Sequence, residues 1–192
     1  MTAVIDLIKP LVFEPRVAAL TALLMLAALI DIRQHRIPNW LVIVGICIAV
    51  AYNGLHAPSM QANSWLLVLE GTLVGFFMLL PFYIGRAMGA GDVKLMAMVG
   101  AFLGPVGAFW SVLATFIAGG VLAIMILAWH RRVGRAVRNV YALITVNMLT
   151  ASAGSLDFSM SGTDSAGKLP YAVAIAFGTA GYLILHSGGY VS

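Results

Sequence analysis

The stretch "FWSVLATFIAGGVLAIMILAW", residues 109–129, contains no charged side chain. At about 1.5 Å of rise per residue, a helix over it covers about 30 Å, the thickness of the hydrocarbon core of a bilayer. Water is missing there, so every backbone N–H and C=O needs a partner inside the protein, which only helices and closed barrels provide. Barrel strands alternate apolar and polar residues, whereas the apolar residues here are continuous. A transmembrane helix follows, and with it the fold class: an all-α, polytopic membrane bundle.

Outward from this segment, further apolar runs cover residues 17–30, 40–55, 65–84, 95–103 and 169–185. Across 192 residues the chain is 61% hydrophobic and 9% charged, far below the roughly 25% charged content of a soluble domain. The run over 95–103 is too short to span alone. It either continues beyond Gly104 and Pro105 or reverses within the bundle, where protein satisfies its backbone. Residues 133–167 read as a basic interfacial helix followed by a Ser/Gly-rich loop. The pairs Gly71/Gly75 and Gly100/Gly104 have helix-packing spacing, a signal of low specificity.

Cations sort the connections. Arg33 and Arg36, Arg86 and Lys94, the group Arg131, Arg132, Arg135 and Arg138, and Lys168 fall in alternate linkers, while residues 56–63 and 104–107 carry no formal charge. The positive-inside rule makes the basic linkers cytoplasmic and predicts about six transmembrane helices with both termini outside, in one integral membrane domain over residues 1–192. The first run also has the length of a signal-peptide core behind Lys9 and Arg16, and its cleavage would break that parity. The net charge of +4 thus has a topological origin and does not point to nucleic acid. Cys47, the single cysteine, excludes an intrachain disulfide and reads as a small buried hydrophobe.

A carboxylate at membrane depth costs about 2.5–3.5 kcal/mol at a helix centre on insertion scales, so each one asks for a reason. The candidates are Asp31, Glu70 and Asp92. Asp31 closes the first span in "ALIDIRQHRIPNW" and Asp92 opens the fourth in "MGAGDVKLM", so both stand at cytoplasmic helix ends. Taken singly, Asp92 is an N-cap and Asp31 an ion-pair partner of Arg33 or Arg36. Gly89 and Gly91 allow positive φ and a close approach of another chain. Two carboxyl groups brought within a few ångströms share one proton, the state in which one activates water while the other polarises a carbonyl. Glu70 reads as structural, Lys94 as reaching for the interface, and His35 as an accessory to Asp31 if the helix continues so far. His56, His130 and His186 lack metal-ligand spacing.

These residues resemble a known family. "GAGDVKL" resembles the G-x-G-D motif of membrane-embedded aspartyl proteases, and "DVKLMAMVGAFLG" is similar to its extension in the type IV prepilin peptidases. "DIRQHRIPNWL" is similar to that family's first catalytic segment, and "KLPYAVAIAFG" to the last helix of the short CpaA/TadV type serving Flp/Tad pili. The resemblance implies an aspartic endopeptidase of the bacterial cytoplasmic (inner) membrane that removes the leader of a Flp/Tad-type prepilin. It implies Asp31 and Asp92 as the catalytic pair, Gly89 and Gly91 as the loop beside the substrate backbone, and Leu169 and Pro170 as cleft lining. The partners so implied are the prepilin and the lipid bilayer, with a homo-oligomer compatible, and neither nucleic acid, metal nor cofactor. The cysteine-paired zinc region of long prepilin peptidases has no counterpart here, so N-methylation of the new terminus is not expected. The contrasting classes are a small ion or proton carrier, whose acids would run through the bilayer depth, and a non-catalytic pilus-assembly scaffold.

Overall fold

Local sequence sets the ends of the helices. In the computed structural model, which describes residues 14–34, 36–56, 64–85, 87–129 and 171–187, every regular element described is helical. Helix α1, Pro15–Gln34, begins on a proline, whose fixed φ suits the first helical position and whose missing N–H has no partner to lose there. It stops ahead of Pro38, and α2, Asn39–His56, starts directly after that proline, with the Leu41 N–H donating to the Pro38 carbonyl at 3.2 Å. Helix α3, Ser64–Ile84, carries Pro81 in its last turn and ends in a tight turn. There the Phe82 carbonyl accepts from both Ala87 N–H (2.9 Å) and Met88 N–H (3.3 Å). Helix α4, Ala90–Trp129, is broken at Gly104, and α5 is Tyr171–Ser187.

Three of these stretches, Pro15–Gln34, Trp65–Ile84 and Ala90–Ile126, are long and apolar enough to cross a membrane, and α2 and α5 add shorter apolar helices. The chain divides into two compact units, Met1–Gly119 with Pro170–Ser192, and Gly120–Leu169. Of the second, the described part is the end of α4, residues 120–129. The helix and loop expected over 133–167 lie outside the described residues.

Gly104 decides the path of α4. Its φ of 76° lies in the left-handed region that glycine enters freely, and Pro105 restarts the helix behind it. Contacts on either side show that the chain reverses there. Before the break, Gly75 lies against Met96 and Gly71 against Gly100. Beyond it, Phe116 packs on Phe82, near the far end of α3, with ring centroids 4.9 Å apart. Helix α5 then runs antiparallel to the second half, with Gly178 against Thr115 and Tyr182 beside Gly107. Of the two paths open to residues 95–103, the reversal is the one taken.

The segment 90–103 occupies the core. Leu95, Met96, Met98, Val99 and Phe102 are fully buried, packed with Leu20 and Leu24 of α1, Leu41 of α2, Leu79 of α3 and Ile175 of α5. A helix apolar on all sides belongs inside a bundle, and protein around it removes the need for full bilayer length. Hydrophobic transfer gives little drive between helices in lipid, so close van der Waals packing through small residues must hold them together. The glycine pairs supply it: a β-carbon on Gly71 would overlap the Gly100 carbonyl, and one on Gly100 would overlap the Gly71 carbonyl.

One reading needs correction. Cys47 is exposed, on the same outward side of α2 as Ile43, Val44 and Ile48, because the inward positions are taken by Leu41, Val42, Gly45 and Ala49. Lys94 is exposed, and its Nζ donates to Asn39 Oδ1 at 3.0 Å, since its place one turn into α4 faces the start of α2.

The contact at Gly178 makes a prediction. A β-carbon there would lie 2.6 Å from Thr115 Cα and 2.8 Å from the Ala114 carbonyl carbon, both backbone atoms. Gly178→Val is expected to cost about 1–3 kcal/mol, the usual penalty of overpacking, and to lower the thermal midpoint of the detergent-solubilised protein.

Candidate active site

Along α1 the buried positions are Leu20, Leu24, Ala27 and Asp31, a stripe at helical spacing. Asp31 faces inward because it continues the stripe by which α1 docks, and it is only 7% exposed. Its Oδ2 accepts the backbone N–H of Ala172 at 3.3 Å, at the start of α5. The first amides of a helix lack intrahelical partners and carry the positive end of the helix dipole, so a carboxylate is a natural acceptor there.

Asp92, likewise 7% exposed, stands in the first turn of α4. Its Oδ2 accepts the Gly89 N–H at 3.1 Å, while its own N–H donates to the Gly89 carbonyl at 3.1 Å. This is the reach-back of the third helical residue in a capping box, with Gly89 in the N-cap position. Asp92 therefore does cap the helix, but from inside its first turn and not as the N-cap itself. Asp31 and Asp92 lie close enough for their charges to interact. Tyr171 is also within electrostatic range of Asp92.

The loop glycines act by proximity. Among the described residues Gly104 is the glycine with positive φ, so Gly89 and Gly91 do not use the left-handed freedom expected of them. A β-carbon on Gly91 would lie 3.1 Å from Ile37 Cβ, and one on Gly89 would lie 3.3 Å from Asp92 Oδ2. The Ile37-Pro38-Asn39 stretch thus packs on the Gly-Ala-Gly-Asp turn, and the Lys94–Asn39 hydrogen bond joins the same two segments.

Ends of four helices meet here: the last turn of α1 and the starts of α2, α4 and α5. Arg33 and Arg36 beside them are exposed, and so is Glu70, far from this end on α3. Leu169, Pro170 and His35 lie outside the described residues. Sequence reasoning missed Ala172, Tyr171 and Asn39. A backbone amide has no sequence signature, but Asn39 belongs to the quoted "RIPNW" stretch, where a polar residue at a helix start was visible. Among the described residues, no three His, Cys, Asp or Glu side chains gather as metal ligands would.

What the arrangement offers chemically is a pair of nearly dehydrated carboxyl groups, each held through one oxygen by a backbone N–H. The model of the type IV leader peptidase family matches residues 18–124, a stretch containing both aspartates. No curated protein and no solved structure matches the chain.

Proposed function

Because the chain belongs to the type IV leader peptidase family, we propose that it is a membrane-embedded aspartic endopeptidase whose catalytic pair is Asp31 and Asp92. The observation that carries this assignment is the meeting of two buried carboxyl groups, from helices far apart in sequence, at one end of the bundle. One carboxylate takes a proton from a water molecule, and the resulting hydroxide adds to the scissile carbonyl carbon. The other, protonated, donates its hydrogen to the carbonyl oxygen. Collapse of the tetrahedral intermediate breaks the C–N bond as a proton passes to the leaving nitrogen.

The substrate in this reading is a Flp/Tad-type or other type IV-like prepilin, cut at the cytoplasmic face of the bacterial inner membrane, without N-methylation of the new terminus. In this reading Gly89 and Gly91 keep the wall beside the substrate backbone low, and the family resemblance adds Leu169 and Pro170 as cleft lining. The protein acts as one integral membrane domain with six spans and both termini outside. In support, the reversal at Gly104 divides α4 into two segments, and the basic linkers alternate with uncharged ones.

Co-expression with a panel of Flp-type and other type IV prepilins, read as the intact mass of each pilin, tests the function. Loss of the leader without the added mass of a methyl group is expected for a Flp-type member. Intact leaders throughout, with the peptidase correctly inserted, would contradict the assignment.

The loop carries a graded prediction. Gly91→Ala requires Ile37 to give by a few tenths of an ångström, whereas Gly91→Leu must displace the start of α2. Cleavage rates are expected to fall modestly for the first and by more than about tenfold for the second, following the steep dependence of catalysis on sub-ångström positioning.

A further inference from the structure

At the opposite end of the bundle from the two aspartates, a cavity of about 290 Å³ is lined by Arg16, Asn53, Leu103, Gly104 and Val106, among others. Arg16 opens α1, whose other end carries Asp31, and Gly104 closes the segment that Asp92 opens. The Arg16 side chain is half-buried, and its Nε is enclosed without a hydrogen-bond partner among the described residues. Tyr52 and Glu14 lie within electrostatic range of Arg16; Glu14 is exposed, and neither residue lines the cavity. Asn53 directs its Nδ2 to the Ala49 carbonyl at 2.8 Å.

The helix break supplies the remaining chemistry. A β-carbon on Gly104 would meet nothing within 4 Å, so the cavity stays open over the break. The helix that restarts at Pro105 turns the positive end of its dipole toward the break. A guanidinium and a helix start facing one space form a donor set suited to a tetrahedral oxyanion. Leu103 and Val106 add an apolar wall beside it.

We propose that this cavity is a phosphate-binding site, distinct from the carboxyl pair, with Arg16 as its principal ligand. Two sources present that chemistry, the headgroup of an anionic phospholipid and free phosphate. With an apolar wall and an apolar helix surface around it, the headgroup is the expected source.

The test uses the full chain in an uncharged detergent, titrated with short-chain phosphatidylglycerol, inorganic phosphate, or a diacylglycerol of equal chain length. Bound mass is read by native mass spectrometry and affinity by the thermal midpoint. Saturable one-to-one binding of phosphatidylglycerol is expected, with none of the diacylglycerol. Arg16→Gln should weaken it about tenfold or more, since hydrogen bonds to charged groups are the strong ones. Arg16-dependent binding of inorganic phosphate as well would identify the free anion as a sufficient ligand; binding of the lipid alone would identify the headgroup. Val106→Phe, at a position exposed enough to accept a ring without repacking the core, narrows the cavity with the charge intact and should reduce binding too. Binding retained by both variants, reproduced by the diacylglycerol, or absent for both phosphate probes would overturn the site.

Discussion

Asp92→Asn is expected to slow leader removal by about 10²–10⁴-fold, the range that general acid–base groups contribute, with little change in thermal midpoint. Asparagine preserves the shape of the side chain, and its carboxamide oxygen can still accept the Gly89 N–H, so the start of α4 stays capped. What disappears is the capacity to exchange a proton with water or substrate. Asp31→Asn should behave alike, because its amide oxygen can still accept the Ala172 N–H. Initial rates on a purified prepilin, measured beside unfolding curves, separate the two roles of each residue. A fall in midpoint that accounts for the lost rate would reduce Asp92 to a helix cap and Asp31 to a docking contact for α5.

The largest loss of stability is expected at the crossing of α3 with the first half of α4. Gly71→Val and Gly100→Val each place a β-carbon inside the carbonyl of the facing glycine. Backbone cannot rotate out of the way as a side chain does, so the helices must separate. Each substitution should cost at least about 3 kcal/mol, the upper end of ordinary overpacking. Asp92 rides on the displaced segment, so cleavage should fall with stability. Gly181→Ala is the control: a β-carbon there meets nothing within 4 Å, and the change should be neutral or stabilising by up to about 1 kcal/mol through backbone entropy. Unfolding curves in detergent for the three variants check both halves of the prediction.

These effects also show what was legible before the structure. Residues 109–129 sufficed for the all-helical class, since uninterrupted apolar sequence leaves lipid-exposed backbone no other state. The inward face of Asp31 was legible as the next step of the Leu20, Leu24, Ala27 stripe. The path at Gly104 was not, because glycine followed by proline permits either a kink or a reversal, and the contacts of Phe116 with Phe82 and of Tyr182 with Gly107 select one. The spacing of Gly71/Gly75 and Gly100/Gly104 announced two close-packing surfaces without saying that they face each other. At the site, the Gly-x-Gly-Asp turn was read both for positive φ and for close approach, and it is the close approach that the glycines provide, to Ile37 and to the Asp92 carboxyl. The hydrogen bond that holds Asp31 comes from a main-chain N–H on the last helix, which no side-chain pattern encodes.

The most direct test of the central claim, that Asp31 and Asp92 work as one device, is a double-mutant cycle on prepilin cleavage. Single-turnover rates would be measured for the wild type, Asp31→Asn, Asp92→Asn and the double variant, each verified as folded. Residues that act as a unit are grossly non-additive, so the double variant is predicted to be about as slow as either single one. Losses that multiply, or a single variant that keeps most of the wild-type rate, would contradict the pair.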